Sequence, residues 1–317
     1  MRGKFDELRK NTGLFFKKLS AVTSNGEIFQ SSIVIAYYVL FSFFPIFIVI
    51  GNVLPLFHID TRPIVQYLEM VLPSDIIKYV VPIVNSLLKS QSTGYISFGA
   101  IVALWSVSCM VNAIRIGMNR LYGVHRQELK LGLGHFVLNR ILTILFSALL
   151  FILFVVLFLT VMFGQQILTL LAPIFQFSME PIDRLFSYRW LVLLIMMLMV
   201  TYYLNVIVPN VTIKGKANLP GSIVTVILWE ALLYGFSFYL EHFPVRWENY
   251  GIIGTFIIFM LWLNLAATAL LFGTAVNVTI DQMRFGQAVY SNGIIADYIK
   301  RKRNQTINKA KKRGTVK

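Results

Sequence analysis

Charge is scarce in this sequence and cysteine is almost missing. Of 317 residues only 14% are charged, while 57% are hydrophobic. Soluble domains run at about 25% charged and about 45–50% apolar. A single core of this size cannot bury that excess, so lipid is the expected solvent for much of the chain. The single cysteine, Cys109, excludes an intramolecular disulfide framework and any cysteine-built zinc or iron–sulfur site. Placed in an apolar run, it reads as a packed thiol. The four histidines, His58, His125, His135 and His242, fall outside the long apolar runs. No His-x-His, His-Glu-x-x-His or carboxylate cluster offers a metal site. A Gly-rich phosphate loop and a Gly-x-Ser-x-Gly elbow are missing as well, which leaves no ATPase or serine hydrolase in view. Neither an enzyme nor a cofactor is expected.

What is present in quantity is apolar sequence in lengths that match a bilayer. A hydrocarbon core needs about 20 apolar residues in helix. Six stretches qualify: 33–57, 95–114, 141–163, 190–208, 220–240 and 251–278. The first begins too far in, and is too long, for a cleavable signal. Pro45 and Pro55 within it predict a kink or a break. The orientation follows from the basic residues. The segments before span one, between spans two and three, between four and five, and after six hold 23 of the 29 Lys and Arg. The alternate segments hold Arg62, Lys78, Lys89, Arg184, Arg189 and Arg246. Carboxylates show no such bias. The positive-inside rule then puts both termini in the cytoplasm. The expected fold is an all-α integral membrane protein, a six-transmembrane-helix bundle with both ends inside.

Three domains follow: a basic cytoplasmic segment over 1–32, a membrane domain over 33–278, and a basic tail over 279–317 that ends in disorder. Residues 15–30 read as an interfacial helix, weakened by Gly26. On the outer side, 63–72 and 74–88 read as short amphipathic helices, the second opened by a Ser74 cap, and 165–188 as a less regular cover. The tail, with Lys300-Arg301-Lys302-Arg303 and Lys309-Ala310-Lys311-Lys312-Arg313, invites a nucleic-acid reading. It lacks aromatic residues beyond Tyr298, and a topology-fixing tail against anionic headgroups accounts for it more simply.

Polar residues inside the spans need a reason, because an ionisable group near the bilayer centre costs about 2.5–3.5 kcal/mol. Glu230, the only acid in any span, lies near the midplane of the fifth. Tyr234, Ser237 and Glu241 continue its face at helical spacing. In the second span Trp105, Ser108, Asn112, Arg115 and Asn119 form another stripe, and Asn264 adds a polar group in the sixth. These groups either bond helix to helix or line a hydrated cavity where Glu230 takes a proton, a cation or a cationic substrate. Gly94, Gly99, Gly251 and Gly254 are candidate close-approach positions.

The chain resembles the YihY/BrkB family of bacterial inner-membrane proteins, some once labelled ribonuclease BN. The likeness covers about residues 30 to 280. It rests on Ala36-Tyr37-Tyr38, Phe44-Pro45, Leu104-Trp105-Ser106, the run Met118 to Val124 with Arg126, Trp229, Tyr250-Gly251 with Gly254, and Gly273 with Asn277. Two positions depart from the family pattern: Ser31-Ser32 stands where a small pair is common, and Ala275 replaces a carboxylate. The resemblance implies a six-helix plasma-membrane protein with a role in transport or envelope integrity. Two functional readings stand: a transporter or exporter of a small molecule or ion through a polar cavity, and a non-transporting scaffold. Nuclease chemistry finds no residues to carry it.

Overall fold

The computed structural model describes residues 2–53, 77, 81–82, 93–125, 189–212, 218–242, 251–286 and 288–290. The described chain is helical. Helix α1 spans Arg2–Asn25 and α2 Ile28–Val53. Helix α3 follows at Thr93–Leu121, and α4 at Arg189–Ile207. Helices α5 and α6 run over Leu219–His242 and Gly251–Arg284. Two short strands, β1 (Val211–Thr212) after α4 and β2 (Val289–Tyr290) after α6, pair antiparallel, with Val211 opposite Tyr290 and Thr212 opposite Val289.

Five of the six expected apolar stretches begin within these helices; the third, 141–163, lies outside the described residues. So do the outer segment 63–72, the cover 165–188 and the tail beyond 290, while 74–88 is described only at Ile77, Val81 and Pro82, which are helical. Helix α2 starts five residues before the expected Ile33 and carries Pro45 inside it without ending. Helix α3 extends to Leu121 because Asn112, Arg115 and Asn119 continue the helical period past the apolar run. Among the described residues two segments are long and apolar enough to cross a membrane, Leu219–Tyr239 and Phe256–Arg284. A third joins them if Asn11–Asn25 and Ile28–Phe43, bent by 54°, form one broken span.

That bend has a local cause. Gly26 donates to the Val22 carbonyl, and Glu27 takes a positive φ of 48°, which ends α1. A side chain at Gly26 would meet Leu121 of α3, so the break is also a contact. The expected interfacial helix over 15–30 is thus divided here between the end of α1 and the start of α2.

Helix α6 is the hub: α1, α2, α3 and α5 all pack on it, α2 and α3 lie along one another, and α4 lies against α5. The core joins Leu19 and Val22 of α1, Ile28 and Ile35 of α2, Val111, Ile114 and Met118 of α3, and Leu271, Ala275 and Val278 of α6. Within lipid, burial of apolar surface does not drive helices together, so close fit and interhelical hydrogen bonds carry the association. Both are concentrated where α5 crosses α6.

Candidate functional site

The sequence-nominated residues lie on α3, α5 and α6. On α3, Ser108 and Asn119 are buried, Asn112 and Arg115 half-buried, and Trp105 exposed. Arg115 donates to Asn112 Oδ1 at 2.7 Å, which joins two members of the stripe. Asn264 of α6 receives the Ser32 hydroxyl at 2.7 Å and so belongs to the α2 contact. On α5, Glu230 and Ser237 are half-buried and Tyr234 is exposed. Among the described residues none hydrogen-bonds to Glu230. Its direction follows from its neighbour. Trp229 faces α6 and donates its indole N–H to the Ala266 carbonyl at 2.9 Å. The next residue on a helix points about 100° away, which turns Glu230 off that seam.

The seam itself is the closest interhelical contact described. Gly221 and Gly273 bring the two backbones together: an added Cβ at Gly221 would overlap the Gly273 carbonyl oxygen, and one at Gly273 would overlap Thr225 Oγ1. Asn277 lies one turn beyond. Its Oδ1 accepts from the Gly221 N–H at 2.7 Å, and its Nδ2 donates to the Asn218 carbonyl at 3.0 Å. Helix starts leave N–H groups unsatisfied, and a side chain just before the helix normally fills that role. Here Asn277 of α6 caps α5 instead. Asn218 stands at the usual capping position, and its Oδ1 is buried with no hydrogen bond among the described residues. In the sequence Gly273 and Asn277 stand only as matches to the family, with no role in this contact assigned to them. The four-residue spacing in Gly221–Thr225 and in Gly273–Asn277 was the available signal.

A second polar cluster closes the end of α3. Gly123, with φ of 74°, donates to the Arg120 carbonyl at 2.9 Å, and Val124 donates to that of Asn119 at 3.0 Å. This pair of bonds is the Schellman termination, which places a glycine in the left-handed region. The side chains freed at that terminus then reach outward. Asn119 Oδ1 accepts from the Asn210 N–H at 2.9 Å, tying α3 to the exit of α4. Arg120 bonds Glu27 at 3.0 Å and the Ser31 hydroxyl at 3.3 Å, across the α1–α2 bend. Tyr122 donates to the fully buried Asp281 at 3.4 Å. Burial above all, then the Asp281 charge and this hydrogen bond, holds the phenol far above its ordinary range. Asp281 was counted with the tail in the sequence, because the apolar run ends before it.

Among the described residues no group of three or more His, Cys, Asp or Glu could hold a metal ion. What the geometry offers is a tightly joined end and, on α5, a half-buried acid that no described residue bonds. The motif run from Met118 to Val124 and the Gly273–Asn277 pair serve that joined end, and Trp229 bonds α5 to α6 further along. A match to the family described as Virulence factor BrkB covers residues 20–292. The chain belongs to the BrkB family. A relative named as the ribonuclease-like protein YfkH, of Bacillus subtilis, is 28% identical over 271 residues, covering 85% of this chain and 96% of that protein. The UPF0761 membrane protein of Bordetella petrii is 36% identical over 84 residues, 26% of this chain and 19% of that one. That of Nitrosospira multiformis is 33% identical over 79 residues, 25% and 18% of the two chains. These last matches span about a fifth of the UPF0761 proteins. No solved structure matches the chain.

Proposed function

We propose that this BrkB-family membrane protein is a transporter or exporter of a polar solute in the bacterial plasma membrane, with six spans and both ends cytoplasmic. Glu230 is its coupling acid. One observation carries the reading: Glu230 stands roughly 15 Å along α5, half-buried, and no described residue bonds to it. An acid at that depth needs a proton, a cation or water to be tolerable. Its face continues to Ser237 and the exposed Tyr234, which gives a polar line toward the outer end. The stripe of Trp105, Ser108, Asn112, Arg115 and Asn119 would serve the inner half. The excess of Lys and Arg on alternate segments supports the orientation.

The test needs no knowledge of the substrate at the outset. Proteoliposomes carrying a pH-sensitive dye are challenged with a panel of organic cations, amino acids and amphipathic drugs. The wild-type chain should move protons with at least one of them, and Glu230→Gln should not, while eluting as the same folded species. Proton movement of wild-type size in Glu230→Gln would remove the acid from the mechanism.

A second reading, a non-transporting scaffold, is favoured by the α5–α6 seam, which is packed too closely for a path along it. Cysteines placed at Ser237 and Ser108 in a Cys109→Ser background separate the two. Reaction of both with a membrane-impermeant thiol reagent, each from its own side, supports transport. Silence at both supports the scaffold.

A further inference from the structure

We infer that α1 is an interfacial collar that binds the anionic bilayer surface, with Phe16 entering the headgroup–acyl boundary and Lys17 and Lys18 meeting lipid phosphates. The placement begins with α2. Four of its exposed apolar residues recur every four positions, Phe29 at 73%, Ile33 at 54%, Tyr37 at 54% and Phe41 at 47%, with Val34 beside them at 48%. A strip at that spacing is one helix face, and in a membrane protein such a face meets hydrocarbon. It begins two residues after Glu27. The break at Gly26–Glu27 therefore stands at the edge of the hydrocarbon, where the Glu27–Arg120 ion pair remains hydrated.

From that edge the chain turns aside. The 54° bend takes α1 off the line of α2, and the collar reading places it along the surface from there. The bend is held at three points: Gly26 packs on Leu121, Arg120 bonds Glu27, and Arg120 also bonds Ser31. One side of α1 is already committed to the protein, since Leu19 and Val22 lie in the core. Phe16 is not covered by it and is 62% exposed, with its ring edge-on to Phe15. The helix carries six basic residues against two acidic ones. A large aromatic beside paired lysines, on a net positive helix, fits an anionic lipid surface. Nothing in the inference depends on transport, and it holds equally for a scaffold.

The full chain in nanodiscs tests it, in a Cys109→Ser background. A polarity-sensitive fluorophore is attached to a single cysteine at Phe16 or at Ala21, which is exposed on another side of α1. In phosphatidylglycerol discs the label at Phe16 should emit further to the blue and be quenched by acrylamide several-fold less than the label at Ala21. In phosphatidylcholine discs the difference should shrink, and in phosphatidylglycerol discs Lys17→Gln/Lys18→Gln should shrink it equally. Equal quenching at the two positions in phosphatidylglycerol would overturn the collar. Protection at Phe16 that ignores both lipid charge and the lysine substitutions would overturn its anionic specificity.

Discussion

Helix α5 handles polar groups in two opposite ways within three turns. At its start Gly221, Thr225 and the Asn218 carbonyl are buried against α6 and engaged with its Asn277 or with their own backbone. At its middle Glu230 is half-buried, with no bond from any described residue. The first arrangement is what association in lipid requires, close backbones and satisfied donors. The second adds no described hydrogen bond to the seam, and under the proposed function it is a group kept for activity. The contrast predicts that substitutions at the seam unfold the protein and those at Glu230 leave it folded.

The largest effect is expected at Gly273→Val. The added carbons meet Thr225 and the Gly221 carbonyl, and backbone cannot move aside as a side chain does. A loss of about 3 kcal/mol or more is expected, read as loss of the monodisperse peak and of a cooperative thermal transition in detergent. A well-folded Gly273→Val protein would break the comparison at its stronger end.

Asn277→Ala comes next. It removes the acceptor of the Gly221 N–H and the donor to the Asn218 carbonyl, both buried. The Asn218 carbonyl keeps the Ser222 amide and hydroxyl, so the Gly221 N–H is the group left unpaired, at about 1–3 kcal/mol in a core. Denatured states within membranes find substitute partners, so the net expectation is roughly 1–3 kcal/mol. Asn277→Asp is the sharper variant: it keeps the acceptor and loses the donor, and should fall between wild type and Ala in thermal stability.

Tyr122→Phe is smaller, about 1 kcal/mol at neutral pH for one hydrogen bond. Its pH dependence is the more telling readout. The folded phenol stays neutral because burial and Asp281 oppose its ionisation. The unfolded phenol titrates near its reference value of about 10. Above that pH the unfolded state releases a proton that the folded state keeps, so wild-type stability falls as pH rises. The Phe variant has no such proton, and its alkaline decline should be shallower. Parallel curves for the two proteins would contradict the buried Tyr122–Asp281 contact.

The sequence announced the helices far better than it announced the seam. Apolar runs located α2 to α6 because lipid selects for length and hydropathy, which are local properties. The joined ends depend on which residues meet, and that is not local. Asn277 caps a helix that begins 58 positions earlier in the chain, at Leu219. Asp281 looked like tail because the apolar run ends before it, yet α6 carries it back into the core beside Tyr122. Among the glycines whose surroundings are described, the tightest approach uses Gly221 and Gly273, while Gly94, Gly99, Gly251 and Gly254, expected from spacing, lie outside that set. Trp105 and Tyr234 were nominated by period alone, and period cannot say which side of a helix is covered; both are exposed. The resemblance carried more than the pattern did, since its residues from Asn119 to Val124 are those that terminate α3 and reach three other segments.

The smallest effect on stability is expected at Glu230→Gln, within about 0.5 kcal/mol of wild type, the range of substitutions away from packed or bonded features. The side chain keeps its shape, loses its charge, and leaves no described partner behind. The midpoint of thermal unfolding should therefore be unchanged, or raised, since an uncharged amide costs less than a carboxylate at that depth. Paired with loss of proton movement, this outcome separates a group held for activity from one held for structure. A clear drop in the midpoint would mean that Glu230 bonds to a segment outside the described helices. In that case the contrast within α5 disappears, because both ends of the helix would be holding the bundle together, and the acid would belong to the scaffold reading.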